Sequence, residues 1–135
     1  MDSGQHDFNA LFDLARRGRV TALEEAWSDR FDVDAPGPTG HTLLMTACNA
    51  RQGESVRWLL ERGANPNLAT AKGTTPLMYA KTAAFGSGDP MILDLLISAG
   101  ADVKATDKAG LTALDYTRQR AAFLIDYLSS KESTA

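Results

Sequence analysis

The chain contains one cysteine, Cys48, in 135 residues. A lone thiol rules out an intramolecular disulfide and a cysteine metal cluster, and it fits a reducing compartment. Histidine is almost as scarce: His6 lies in the opening stretch, expected to fray, and His41 stands beside a predicted loop tip, so no metal site is framed and no cofactor is expected. No hydrophobic run approaches the length of a membrane span, and no membrane partner is expected. The opening Met-Asp-Ser-Gly-Gln-His-Asp has neither the basic start nor the apolar centre of a signal peptide. The expected home is therefore cytoplasmic, or periplasmic or secreted if a leader has been removed. Positive charge is not in excess either. With a formal net charge of −3 and a pI near 5.3, the chain has no basic face for nucleic acid. The short cluster Arg16-Arg17-Gly18-Arg19 reads as solvated surface. No glycine-rich loop is shaped to cradle phosphate.

What the chain does have is repetition. The segment Gly40-His-Thr-Leu-Leu-Met-Thr-Ala47 returns as Gly73-Thr-Thr-Pro-Leu-Met-Tyr-Ala80, a step of 33 residues, and again as Gly110-Leu-Thr-Ala-Leu-Asp-Tyr-Thr117. The segment from Val56 to Asn67 is echoed by that from Ile92 to Asp102. Self-similarity at such a period signals a stacked repeat array. Carried backwards, the same step aligns Leu11 with Leu44, Leu23 with Val56, Trp27 with Leu60 and Asp34 with Asn67. Forwards the step is 37, which leaves four extra residues between Ala80 and Gly88. One domain over 1–135 is expected. Its parts are a degenerate N-terminal capping unit at 7–39, full units at 40–72 and 73–109, a C-terminal capping unit at 110–130 and a tail at 131–135. A chain of this length can bury about two thirds of its unfolded surface.

Each unit predicts two short helices. Leu11, Leu14 and Ala15 make one apolar stripe in the first unit, and Leu23, Ala26 and Trp27 make another. Val56, Leu59 and Leu60, then Leu93, Leu96 and Ile97, repeat the second stripe. Thr42, Thr75 and Thr112 are expected N-caps, with Pro76 at the first helical position. Gly63 and Gly100 are expected to end second helices in the left-handed conformation. Arg30 holds the matching place in the first unit, so that helix should end differently. The stretches at 34–40, 68–73 and 105–110 should be extended fingers, each closed by a glycine of positive φ.

The motifs Thr75-Pro76-Leu77-x-x-Ala80, Leu59-Leu60-x-x-Gly63-Ala64-Asn65 and Leu96-Ile97-x-x-Gly100-Ala101-Asp102 resemble the ankyrin repeat. The resemblance covers nearly the whole chain, in about four units. It implies an all-α fold: an ankyrin-repeat solenoid of stacked helix-turn-helix units joined by β-hairpin-like fingers. The chain departs from the family by carrying Met45, Met78 and Asp115 where a histidine is usual. Met45 and Met78 read as core filling. Asp115, three residues past Thr112, reads as a capping acid, with a catalytic role as the competing reading.

The resemblance also implies where a partner would bind: on finger tips and first helices along the concave side. Carried over residue by residue, these positions are Pro38, Thr39 and His41 in the first finger, with Asn49 and Ala50 on the following helix. The second finger contributes Ala71, Lys72 and Thr74, and the third Lys108, Ala109 and Leu111. Tyr79 and Tyr116 occupy matching positions, where they either pack sideways across repeats or form an aromatic recognition strip. Lys72 and Lys108 together suggest an acidic patch on the partner. Phe85, in the insertion at 81–88, is either tucked against a helix or exposed for contact.

The expected function is therefore non-catalytic protein–protein interaction by a monomer. Similarity to small stand-alone bacterial members implies, as an alternative, an inhibitor, immunity or protective protein dedicated to one enzyme. The competing class is a cysteine-dependent enzyme pairing Cys48 with His41. Against it, Cys48 matches Ala15 in the repeat register, a place for a small buried side chain.

Overall fold

The fold was analysed in a computed structural model, which describes residues 3–80, 91–117 and 129–131, with side chains for 7–80, 91–115 and 129–131. Helices come in pairs: α1 (Ser3–Arg16) with α2 (Val20–Ala26), and α3 (Leu43–Asn49) with α4 (Gly53–Glu61). Then come α5, described over 76–80, α6 (Met91–Ser98) and α7 (Ala113–Thr117). No strand occurs among the described residues. First helices stack on first helices, α1 against α3, and second helices on second helices, α2 against α4 and α4 against α6. The result is an all-α solenoid.

The repeat period explains the core. Leu44, Leu77 and Leu114 recur at one register and are all buried, as are Leu59 and Leu96 at another. Each such side chain stabilises the fold by about 2 kcal/mol through the apolar surface it removes from water. No unit has enough apolar surface facing itself to close alone, so stability is shared across the interfaces. Met45 and Met78 are buried among these leucines, in agreement with their reading as core filling.

The helix ends obey the local signals. Thr42 Oγ1 accepts the Met45 N–H at 3.2 Å, and Thr75 Oγ1 accepts that of Met78 at 3.4 Å. At α7 the cap is reciprocal: Thr112 Oγ1 accepts the Asp115 N–H at 3.1 Å, while Asp115 Oδ2 accepts the Thr112 N–H at 2.9 Å. Gly63 and Gly100 have φ of 89° and 100° just past α4 and α6. The first unit does end its second helix differently, through an extended Trp27 with ψ 144° and no left-handed residue at Arg30.

Two expectations need correction. Ala26 is exposed, because α2 stops there and the stripe is carried by the buried Leu23 and the partly buried Trp27. Position 6 lies within α1 instead of a frayed start. Phe85 and the insertion at 81–88 lie outside the described residues, as does the side chain of Tyr116.

Without the family histidine, neighbouring units are tied by other groups. Asp34 Oδ1 accepts the Asn65 N–H at 2.9 Å, and one period later Asn67 Oδ1 accepts the Asp102 N–H at 2.8 Å. Asn67 Nδ2 also donates to the Gly100 carbonyl at 3.0 Å. Deeper in the stack, the buried Ser55 hydroxyl donates to the Ala15 carbonyl at 3.0 Å, joining α4 to the end of α1. On the second-helix side, Trp27 meets Trp58 edge-on at 5.6 Å, and Arg62 lies over the Trp58 ring at 4.6 Å.

Candidate functional site

Three fingers project from the stack with one backbone design. Gly37, Thr70 and Asp107 each donate their N–H to the carbonyl four residues on, at His41, Thr74 and Leu111, over 2.9, 3.0 and 3.0 Å. The return bonds run from Gly40, Gly73 and Gly110, whose φ values of 80° to 83° turn the chain back. In the second and third fingers a side chain supports the turn. Thr70 Oγ1 accepts the N–H groups of Lys72 and Thr74, and Asp107 Oδ1 accepts those of Ala109 and Leu111. The first finger has Gly37 instead, because the Phe12 ring lies where a Cβ would sit, 2.7 Å away.

The finger bases position a side-chain relay. His41 is half-buried, and its Nδ1 lies 3.0 Å from Thr39 Oγ1 while its Nε2 lies 2.8 Å from the Tyr79 hydroxyl of α5. The two rings meet edge-on at 5.7 Å. Tyr79 thus packs across the repeat boundary, one of the two roles considered for it. Burial pushes its phenol up from the ordinary value.

On either side of this relay lies an open cavity, and Thr39, His41 and Tyr79 line both. One, of about 200 Å³, is completed by Arg16, Met45, Thr46, Asn49 and Ala50. The other, of about 340 Å³ between the first and second fingers, is completed by Gly40, Thr70, Ala71, Lys72 and Thr74. Eight of the sequence candidates thus come together: Thr39, His41, Asn49, Ala50, Ala71, Lys72, Thr74 and Tyr79. Pro38 is exposed on the first finger and lines neither cavity; Lys108, Ala109 and Leu111 are exposed on the third finger, outside both.

Arg16, Met45, Thr46 and Thr70 were missed. Thr70 was legible in principle, since a threonine at the matching place to Asp107 signals a supported turn. Arg16 was not, because only the stacking of α1 on α3 brings it to the cavity. Its guanidinium pairs with Asp13 and holds that carboxyl below its usual range. The charged side chains lining the two cavities, Arg16 and Lys72, are both cationic.

Cys48 lies inside α3 with no exposed surface, and burial pushes its thiol up, away from the reactive thiolate. Among the described residues no group of histidine, cysteine and acidic side chains is placed to hold a metal ion. No described helix is long and apolar enough to cross a membrane.

This geometry, paired helices stacked with fingers projecting from one edge, defines a helical repeat solenoid. Comparison with known families agrees in detail: the family described as "Ankyrin repeats (3 copies)" matches residues 11–107, and the chain belongs to the ankyrin-repeat family. Its relatives carry the same repeats. A Rickettsia bellii protein named for its ankyrin repeats is 34% identical over 113 residues, covering 78% of this chain and 32% of that protein. The "ankyrin repeat, SAM and basic leucine zipper domain-containing protein 1" of Dasypus novemcinctus is 39% identical over 85 residues, 59% of this chain and 16% of its own length. "Protein fem-1 homolog A-like" of Mus musculus is 40% identical over 83 residues, 62% and 12% of the two chains. The chain thus spans about a third or less of the length of these relatives. Ankyrin repeats are generally protein–protein interaction modules.

Proposed function

We propose that this protein is a non-catalytic interaction module that binds a partner protein through its finger tips and the concave edge of its first helices, as a monomer in the cytoplasm. The observation that carries this reading is the convergence of Thr39, His41, Ala71, Lys72, Thr74 and Tyr79 around one open cleft between fingers. The third finger, with Lys108, Ala109 and the exposed Leu111, extends the same face; Pro38 and the position of Tyr116 belong to it by register. The burial and raised thiol of Cys48 weigh against a cysteine-dependent enzyme.

The test is affinity capture from lysate of the cells that express the protein, with the native chain compared against one carrying Thr39→Arg, Lys72→Glu and Lys108→Glu. A protein retained by the native chain and lost by the variant is the expected outcome. Equal retention by both overturns the finger assignment. If the captured protein is a single enzyme whose activity the native chain inhibits or preserves, the module is a dedicated inhibitor or protector.

A further inference from the structure

The Thr39–His41–Tyr79 relay contains one more hydrogen than it can use. A neutral imidazole has one N–H and one lone pair, and each hydroxyl has one hydrogen. Two internal hydrogen bonds therefore consume two of the three hydrogens. With the proton on Nδ1, Thr39 Oγ1 accepts from the ring, the Tyr79 hydroxyl donates to Nε2, and the Thr39 hydrogen is left over. With the proton on Nε2, Thr39 donates to Nδ1 and the Tyr79 hydrogen is left over. Either tautomer leaves a spare donor, and Thr39 and Tyr79 both line the cleft between the first and second fingers.

The rest of that cleft repeats the imbalance. Thr70 Oγ1 already accepts two backbone N–H groups, so its own hydrogen remains to be donated. Lys72 adds an ammonium with no ion-pair partner among the described residues, and no acidic side chain lines the cleft. In a chain of net charge −3, this is a local site of surplus donors and positive charge.

We propose that the cleft between the first and second fingers receives an aspartate or glutamate side chain from an acidic segment of the partner protein, held by Lys72 and by the spare donor of the Thr39–His41–Tyr79 relay. The proposal rests on the finger-binding reading above and gives its partner a chemistry. A carboxylate is an acceptor with about four lone-pair sites and one negative charge, which matches what the cleft lacks. An acceptor at the cleft also selects whichever relay tautomer points its donor inward, so the site adapts to the pose of the carboxylate without moving backbone.

The experiment titrates the isotopically labelled protein with N-acetylglutamate N-methylamide, following backbone amide shifts at constant ionic strength. The glutamine analogue serves as the uncharged control and sodium sulfate as a general anion. Saturable shifts confined to residues 39–41, 70–74 and 79 are expected, about fivefold weaker with the glutamine analogue. Lys72→Met should weaken them by a similar factor, and so should the double variant Thr39→Val with Tyr79→Phe, which removes both relay hydroxyls. Either single relay variant leaves one spare hydroxyl donor and should have a smaller effect. Lys104→Met, an exposed lysine away from the cleft, should be without effect. Equal shifts with both analogues, equal shifts with sulfate, or shifts elsewhere on the chain overturn the proposal. Its failure leaves the capture experiment standing, because a partner can be held by the fingers with no carboxylate in the cleft.

Discussion

The seam between the second and third fingers is closed by backbone, whereas the seam between the first and second is bridged only by side chains. At the closed seam the Lys108 N–H donates to the Lys72 carbonyl at 3.0 Å, and the chains approach so closely that a Cβ on Gly73 would stand 2.8 Å from Asp107 Cα. One period earlier, a Cβ on Gly40 would meet nothing within 4 Å, and no backbone bond joins Thr39 to Ala71. The space left over is the cleft of about 340 Å³, bridged at its base by His41 and Tyr79. Two seams built from the same motif can thus serve different ends. One stiffens the array, and the other leaves room for a ligand.

The largest effect should come from filling the closed seam. Gly73→Ala faces both a left-handed φ and a backbone collision, and should cost about 3 kcal/mol. Gly40→Ala faces the φ alone and should cost about 1 kcal/mol. Urea denaturation of the two variants measures the difference. Equal losses would mean that the two seams are packed alike and would end the comparison.

Next in size is Asn67→Ala, which removes two bonds across the closed seam's side of the stack, to Asp102 and Gly100. A loss of about 1.5 kcal/mol is expected, since each exposed bond contributes about 0.5–1.5 kcal/mol. Hydrogen exchange should show the Asp102 amide losing protection while Asn65, held by Asp34 across the other interface, keeps it. Loss of protection at both would show that the seams are coupled and not separate.

Much of this was legible in the residues. The threonine caps, the capping acid Asp115 and the glycine stops at Gly63 and Gly100 are local chemistry, and local chemistry repeats with the sequence. The burial of Leu44, Leu77 and Leu114 followed from the period. What the residues did not reveal is where α2 stops, one strained turn and a contact between stacked units. Ala26 looked apolar and periodic, but α2 ends there and its side chain is left exposed. Arg51 adopts a φ of 65° in the turn between α3 and α4, at the place where the first unit has Gly18 with φ 71°. Its strain has no sequence signal, because arginine is not a turn residue. Likewise His41 and Tyr79 were each named as candidates, but their hydrogen bond spans 38 residues and arises only once units stack.

A smaller change tests whether turn support helps set the seam. Thr70→Ala would make the second finger resemble the first, deleting the acceptor of the Lys72 and Thr74 N–H groups. The expected cost is about 0.5 kcal/mol, because both amides can turn to water. Amide exchange at Lys72 and Thr74 should quicken while that at Ala109 and Leu111, supported by Asp107, stays unchanged. Unchanged exchange at all four would show that the backbone turn stands without its side chain.

The smallest effect is expected at alkaline pH and concerns only the open seam. Burial raises the Tyr79 phenol, so the neutral form is favoured in the folded chain. The stability this form contributes is complete below about pH 10, where an unfolded tyrosine ionises, and is lost as pH rises through the higher folded value. The loss is small because the side chain is only half-buried. Absorbance at 295 nm, recorded for the native chain and for Tyr79→Phe, isolates this titration as a difference curve. Its midpoint should lie above the ordinary phenol range, and a midpoint at or below about 10 would show that the ring is solvated and the seam looser than described. Ionisation also changes the hydrogen count of the relay. Only the imidazole N–H and the Thr39 hydrogen remain for two bonds, and the spare donor is gone. The closed seam, held by backbone groups that do not titrate, has no corresponding step.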